Sequence, residues 1–238
     1  MPGPATPPLP ERLSLTLPDF KDVATVKLLV GGDKSSFLVH RPLLEISAPF
    51  FTSALESQFK EGNEQLITFP EDDPATVLCF VQWVYYKSYN LPDSGDERFI
   101  LLAKLYIFAD KVLSDPLKND VIRMLFYLRS QGVDPPQLPV VRFAFDNMPP
   151  HFPFRKLLVD WYGWHIDLAW LEEPSTMESL AQHPEFTAEL ASRLAKRVTS
   201  NMESPLLETP EPYLAKATQS DGRVPRPDPH DDGDHVSI

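Results

Sequence analysis

Proline sets the first limit on how this chain can fold. Each one fixes φ near −65° and removes a backbone donor, so it breaks helix interiors and central strands. The 238 residues contain 26 prolines, and these are unevenly placed. Six lie in residues 1–18 and six more in 203–238. The second stretch also carries eight acidic residues against three basic ones. A segment rich in proline and charge, with few large apolar groups, cannot offset its ordering entropy by burial. The expectation is a mostly disordered N-terminus over 1–18, an acidic disordered tail over 203–238, and a folded body between them. A body of that length is large enough to bury a proper core.

Charge and cysteine usage narrow the function. A net charge of −12 argues against a nucleic-acid binder, whose footprint is a basic patch. It equally disfavours docking on an anionic membrane. Cys79 is the single cysteine, which excludes an internal disulfide framework and any multi-cysteine zinc site. The opening MPGPATPPLP has no apolar signal-peptide core. The longest apolar stretch, 100–109, is interrupted by Lys104 and is too short to span a bilayer. No Asn-x-Ser/Thr acceptor occurs. The expectation is an intracellular protein, cytoplasmic or nuclear.

Between the tails, short strands alternate with amphipathic helices. Val26–Val30 is β-branched and apolar, Gly31-Gly32-Asp33 is a turn cluster, and Ser36–His40 is a second strand, so the stretch predicts a hairpin. Pro42 opens a short helix through Ile46. Ser47 is the expected N-cap of the next helix, which carries Phe50, Phe51, Ala54 and Leu55. Gln65–Phe69 reads as a third strand. Asp73-Pro74 is a strong helix start, with Asp capping and Pro in the first helical position. Phe99–Val112 is apolar nearly all round, the mark of a buried helix. Leu117, Val121, Leu125 and Leu128 give a further amphipathic helix. Beyond Pro135-Pro136 lie an apolar segment over 137–150, a stretch with Trp161, Trp164 and Trp170, and a last helix with Phe186, Leu190, Leu194 and Val198.

Catalytic and metal chemistry find little support. No Gly-x-Ser-x-Gly elbow accompanies the serines and histidines. Asp160 and His165 are five positions apart and point to different helix faces, so they read as surface or interfacial residues. The six histidines show no metal-binding spacing. His230 and His235 bracket three aspartates and read as part of the acidic tail. Gly31-Gly32 reads as a turn, because no phosphate-binding pattern surrounds it. Cys79 lies between Leu78 and Phe80 and reads as inert core. Arg193, Lys196 and Arg197 read as a solvated helix end. The expectation is a protein without enzymatic activity, cofactor or metal.

The order of motifs is more specific. Val26-Lys27-Leu28-Leu29-Val30-Gly31, then Phe37-Leu38-Val39-His40-Arg41-Pro42-Leu43-Leu44, then Ser47-Ala48-Pro49-Phe50-Phe51 resembles the opening of a BTB/POZ domain. Leu66 to Pro74, Phe80 to Tyr85 and Leu105 to Lys111 continue the resemblance in order over about residues 22–130. The wording resembles that of short fungal BTB proteins, and Phe154 to Asp160 resembles the helical C-terminal region of the same set. The resemblance implies an α+β fold, a helical cluster flanked by a small, mainly three-stranded sheet, with an α-helical C-terminal extension. The expected organisation is a BTB/POZ domain over 19–132, a helical extension over 133–202, and the two tails.

The resemblance also implies a protein–protein interaction module. Members that bind a cullin scaffold carry a hydrophobic-x-Glu motif after the helix holding the Phe-Phe pair, and Phe59-Lys60-Glu61 stands there. Phe59 and Glu61 are therefore the candidate partner-binding residues, an aromatic anchor beside a directing carboxylate. The implied role is a substrate adaptor that bridges a client protein to a cullin-based ubiquitin ligase. The alternative is a self-associating scaffold with no ligase connection. A homodimer is implied by the family alone, since Glu11–Leu17 is too short for a stable swapped helix. Thr25 also stands where the family's first strand usually opens with aspartate.

Overall fold

The computed structural model describes residues 24–56, 64–93, 95–165, 171–199 and 209–215. The hairpin forms as the sequence predicts. Strand β1 (Thr25–Val30) pairs antiparallel with β2 (Ser35–His40), joined by a turn in which Gly31 takes φ 71°. Pro74 packs close to Gly31, so the turn also seats the start of a later helix. Strand β3 (Leu66–Phe69) joins the other side of β1 in parallel, giving a mixed sheet of order β2-β1-β3. Alternation gives the sheet one buried face: Val26, Leu28, Val30, Val39, Ile67 and Phe69 all point into the core.

The helices follow in chain order. α1 (Arg41–Ser47) carries Pro42 in its first turn, and α2 (Pro49–Glu56) carries Phe50 and Phe51. Ser47 corrects one expectation. It ends α1 rather than capping α2, because Pro49 itself opens the next helix. The Ser47 carbonyl instead accepts a buried hydrogen bond from Ser114 Oγ at 2.7 Å. α3 (Pro74–Tyr86) begins as read: the Asp73 carboxylate accepts from the Ala75 amide at 3.3 Å. α4 (Asp96–Lys111) and α5 (Asp115–Ser130) complete the first part.

α4 organises the molecule because it is apolar all round. Phe99 and Tyr106 are seven residues apart and share one face; Phe108 points roughly the opposite way. Phe108 meets Phe69 of the sheet at 5.1 Å and Phe80 of α3 at 5.3 Å between ring centroids. The other face meets α6 (Leu138–Asn147) and α7 (Pro153–His165), against which α8 (Pro174–Ala181) and α9 (Pro184–Thr199) complete the extension. Phe99 touches Trp161 at 6.3 Å, and Tyr106 touches Phe154 at 5.4 Å. One hydrophobic core therefore runs through α4 from sheet to extension.

Within the extension, buried polar groups fix how the helices sit. Arg155 is 1% exposed. Its guanidinium donates to the Met148 carbonyl at 3.0 Å and to Glu189 of α9 at 2.9 Å, and it lies 3.8 Å over the Phe145 ring. Asp160 is also 1% exposed and pairs with Arg193 of α9, so it is not the surface or interfacial residue expected from its spacing to His165. Arg197 donates to the Gly163 carbonyl at 3.0 Å and covers the Trp164 ring. Of the three basic residues read as a solvated helix end, Arg193 is thus an internal clasp, and Arg197, though exposed, ties its helix to α7. Val198, expected on the apolar stripe of α9, is 87% exposed because the buried face ends near Leu190.

The tail needs one correction. Within 203–238, residues 209–215 form a short 3-10 turn (Glu211–Tyr213) packed on the body, with Tyr213 1% exposed. A single large aromatic with a buried hydrogen-bond partner offsets the ordering of so short a stretch. Residues 1–18, Phe59, Glu61, Leu168, Trp170, His230 and His235 lie outside the described residues.

Candidate interaction surface

The outer face of the sheet is set by register. Lys27 on β1 sits between Leu38 on β2 and Leu66 on β3. Leu38 is 68% exposed, an apolar group turned away from the core on an edge strand. Beyond the sheet, Ile46 on α1 and Tyr86 on α3 are also largely exposed. Tyr85, beside Tyr86, is held in place. Its hydroxyl accepts from the His40 amide at 3.1 Å and lies 2.7 Å from His40 Nδ1. The end of β2 is thereby fixed to α3, so Leu38 and Tyr86 are carried on two elements locked to each other.

The acidic loop before α3 is anchored rather than free. Asp72 pairs with Lys111 at 2.8 Å, and Asp73 pairs with Lys104 at 3.2 Å. Both are exposed pairs of modest worth, but they tie the loop to the C-terminal half of α4. The helix-capping role read for Asp73 is therefore joined by a cross-link that the sequence did not show. Cys79 is buried as expected, its thiol 3.5 Å from the Asn90 carbonyl. Burial pushes that thiol up to about 11, far from a reactive thiolate.

The candidate residues Phe59 and Glu61 fall between the end of α2 at Glu56 and the start of β3 at Leu66. The helix before them is firmly seated: Phe51 is fully buried and stacks on Phe80 at 5.6 Å. Neither residue is itself described, so their surroundings add nothing to the sequence reading. Among the described residues, no helix is long and apolar enough to cross a membrane.

The sequence profile of the BTB/POZ domain matches residues 16–113. That stretch is a BTB/POZ domain. The α+β architecture agrees, with its small mixed sheet packed on a helical cluster and further helices after it. A search of curated proteins gave no match. BTB/POZ domains mediate protein–protein interactions, so this domain is an interaction module. Its boundary at 113 falls two residues after the end of α4, the helix whose faces join the sheet and the extension in one core. Residues that sequence reasoning missed all lie past that point: Arg155, Asp160 and Tyr213. Their one sequence signal was Tyr213 itself, an isolated tyrosine followed by leucine in an otherwise polar, proline-rich tail.

Proposed function

We propose that this protein is a non-enzymatic adaptor that bridges a client protein to a cullin-based ubiquitin ligase. In this reading Phe59 and Glu61 engage the cullin, Phe59 as the apolar anchor and Glu61 as the directing charge. The observation that carries it is positional. Phe59-Lys60-Glu61 follows the Phe50-Phe51 helix and precedes β3 within the BTB/POZ domain. The helical extension supports the role, because its shared core with α4 holds it as a fixed platform for a client. The test is capture of the full chain by an immobilised cullin N-terminal domain. Binding that survives Phe59→Ala combined with Glu61→Ala overturns the assignment.

A second reading is a self-associating scaffold, and the exposed Leu38 and Ile46 favour it. Light scattering on the purified chain separates the two. A dimer that weakens on Leu38→Asp or Ile46→Asp supports self-association through those residues, and a monomer across the concentration range overturns it. In either case the protein acts in the cytoplasm or nucleus through protein partners alone.

A further inference from the structure

The chain comes back onto its own body after α9. Pro210 and Pro212 flank and enter the turn at Glu211–Tyr213, restricting its backbone before any contact is made. Tyr213 fills a groove between α5 and α7. Its hydroxyl donates to Asp160 Oδ2 at 2.6 Å, and Arg193 holds that carboxylate from behind. The ring lies 5.9 Å from Phe126 of α5, with the Lys156 ammonium 5.2 Å from its centroid. Two residues on, Asn119 clamps the backbone. Its Nδ2 donates to the Ala215 carbonyl at 3.2 Å, and its Oδ1 accepts from the Ala215 amide at 2.6 Å.

These contacts are those of a peptide and its receptor. The carboxylate reads a tyrosine hydroxyl, while the side-chain amide reads a main chain and is blind to the residue that carries it. The rim of the groove is basic in a chain of net charge −12. Lys156 stands by the tyrosine ring, Arg129 is close enough to act on Tyr213, and Arg123 acts on Glu211. An acidic peptide therefore suits it. Phe126 also lines a narrow crevice with Leu125, Arg129, Leu157 and Trp161.

We propose that the α5/α7 groove is a docking site for an acidic, proline-flanked tyrosine peptide of a protein partner. The segment 209–215 is its resident occupant, and the partner displaces it. Tethering gives a resident segment an effective concentration on the order of millimolar, so a partner competes at moderate affinity once it brings further contacts. The site involves neither Phe59 nor Glu61, so it stands or falls separately from the cullin assignment.

The test uses a fluorescent peptide spanning residues 207–217 and the full-length chain. The Tyr213→Ala chain, with its groove vacated, is expected to bind the peptide at least tenfold more tightly than the unaltered chain. Adding Asn119→Ala, or replacing the peptide's tyrosine with alanine, should remove that binding. Absence of saturable binding to a folded Tyr213→Ala chain overturns the proposal, as does equal binding of the tyrosine-free peptide. If Tyr213→Ala does not fold, hydrogen exchange on the unaltered chain decides. Peptide in millimolar excess should accelerate exchange at the amides of 209–215 and leave α4 unchanged; no acceleration overturns the proposal.

Discussion

Phe99 and Trp161 meet edge to face, with ring centroids 6.3 Å apart and planes at 86°. Phe99 belongs to the BTB/POZ domain and Trp161 to the helices after it, so this pair marks the seam of a shared core. Truncating a buried aromatic of this kind costs about 3–5 kcal/mol. Trp161→Ala is expected to lose that much, and the intact chain should unfold in urea as one transition. Coincident curves from circular dichroism and tryptophan fluorescence check the point; two separated transitions would break it.

Asp160 and Arg193 join α7 to α9, with the carboxylate shut off from water. Removing one partner of a buried pair strands the other and costs about 3–5 kcal/mol. Arg193→Ala should therefore destabilise far more than Lys196→Ala, whose side chain is exposed. Gly163 belongs to the same junction: an added Cβ would stand 2.8 Å from Arg193 Cγ. Gly163→Ala is expected to cost about 1–3 kcal/mol by crowding, more than the roughly 1 kcal/mol that alanine gains in a helix. Chemical denaturation of the three variants reads both effects.

Asp120 on α5 carries the clearest pH signature. Burial pushes its carboxyl up to about 6, against the pull of Arg123 and Lys87. Between about pH 4 and 6 the folded chain holds a proton that the unfolded chain has released. Stability from this group therefore falls as pH rises through that window and is flat above it. Asp120→Asn should remove the slope and raise stability at pH 7 by on the order of 1–2 kcal/mol. Urea midpoints at pH 4.5 and pH 7 check the sign, and a variant that gains nothing at pH 7 would contradict it.

Cys79 should be silent in the native state. With its thiol pushed up to about 11 and its side chain buried, the thiolate fraction at pH 8 is roughly one in a thousand. A thiol-reactive dye is expected to label it only on unfolding. Labelling within seconds under native conditions would show that the α3 face around it opens.

Local grammar made much of the fold legible. Asp73-Pro74 announced α3, and Gly31-Gly32 announced the hairpin, because caps and turns are written in adjacent residues. The uniform apolarity of 99–112 foretold a buried helix, although not that Phe99 and Phe108 would serve opposite neighbours. What stayed hidden is non-local. Tyr213 and Asp160 are 53 residues apart, and nothing in either neighbourhood signals the other. Composition favoured a solvated tail, and one aromatic with a partner reversed that for 209–215. The Ser47 cap failed because Pro49 supplies the start of α2 without one. Phe59 and Glu61 rest on motif order within the domain, which geometry near them does not extend.

The adaptor assignment is tested most directly by calorimetric titration of the full chain into a cullin N-terminal domain. The account predicts saturable one-to-one binding, weakened at least tenfold by Phe59→Ala with Glu61→Ala, while urea midpoints of the variant stay unchanged. Absence of binding, or equal affinity for the double variant, would contradict it.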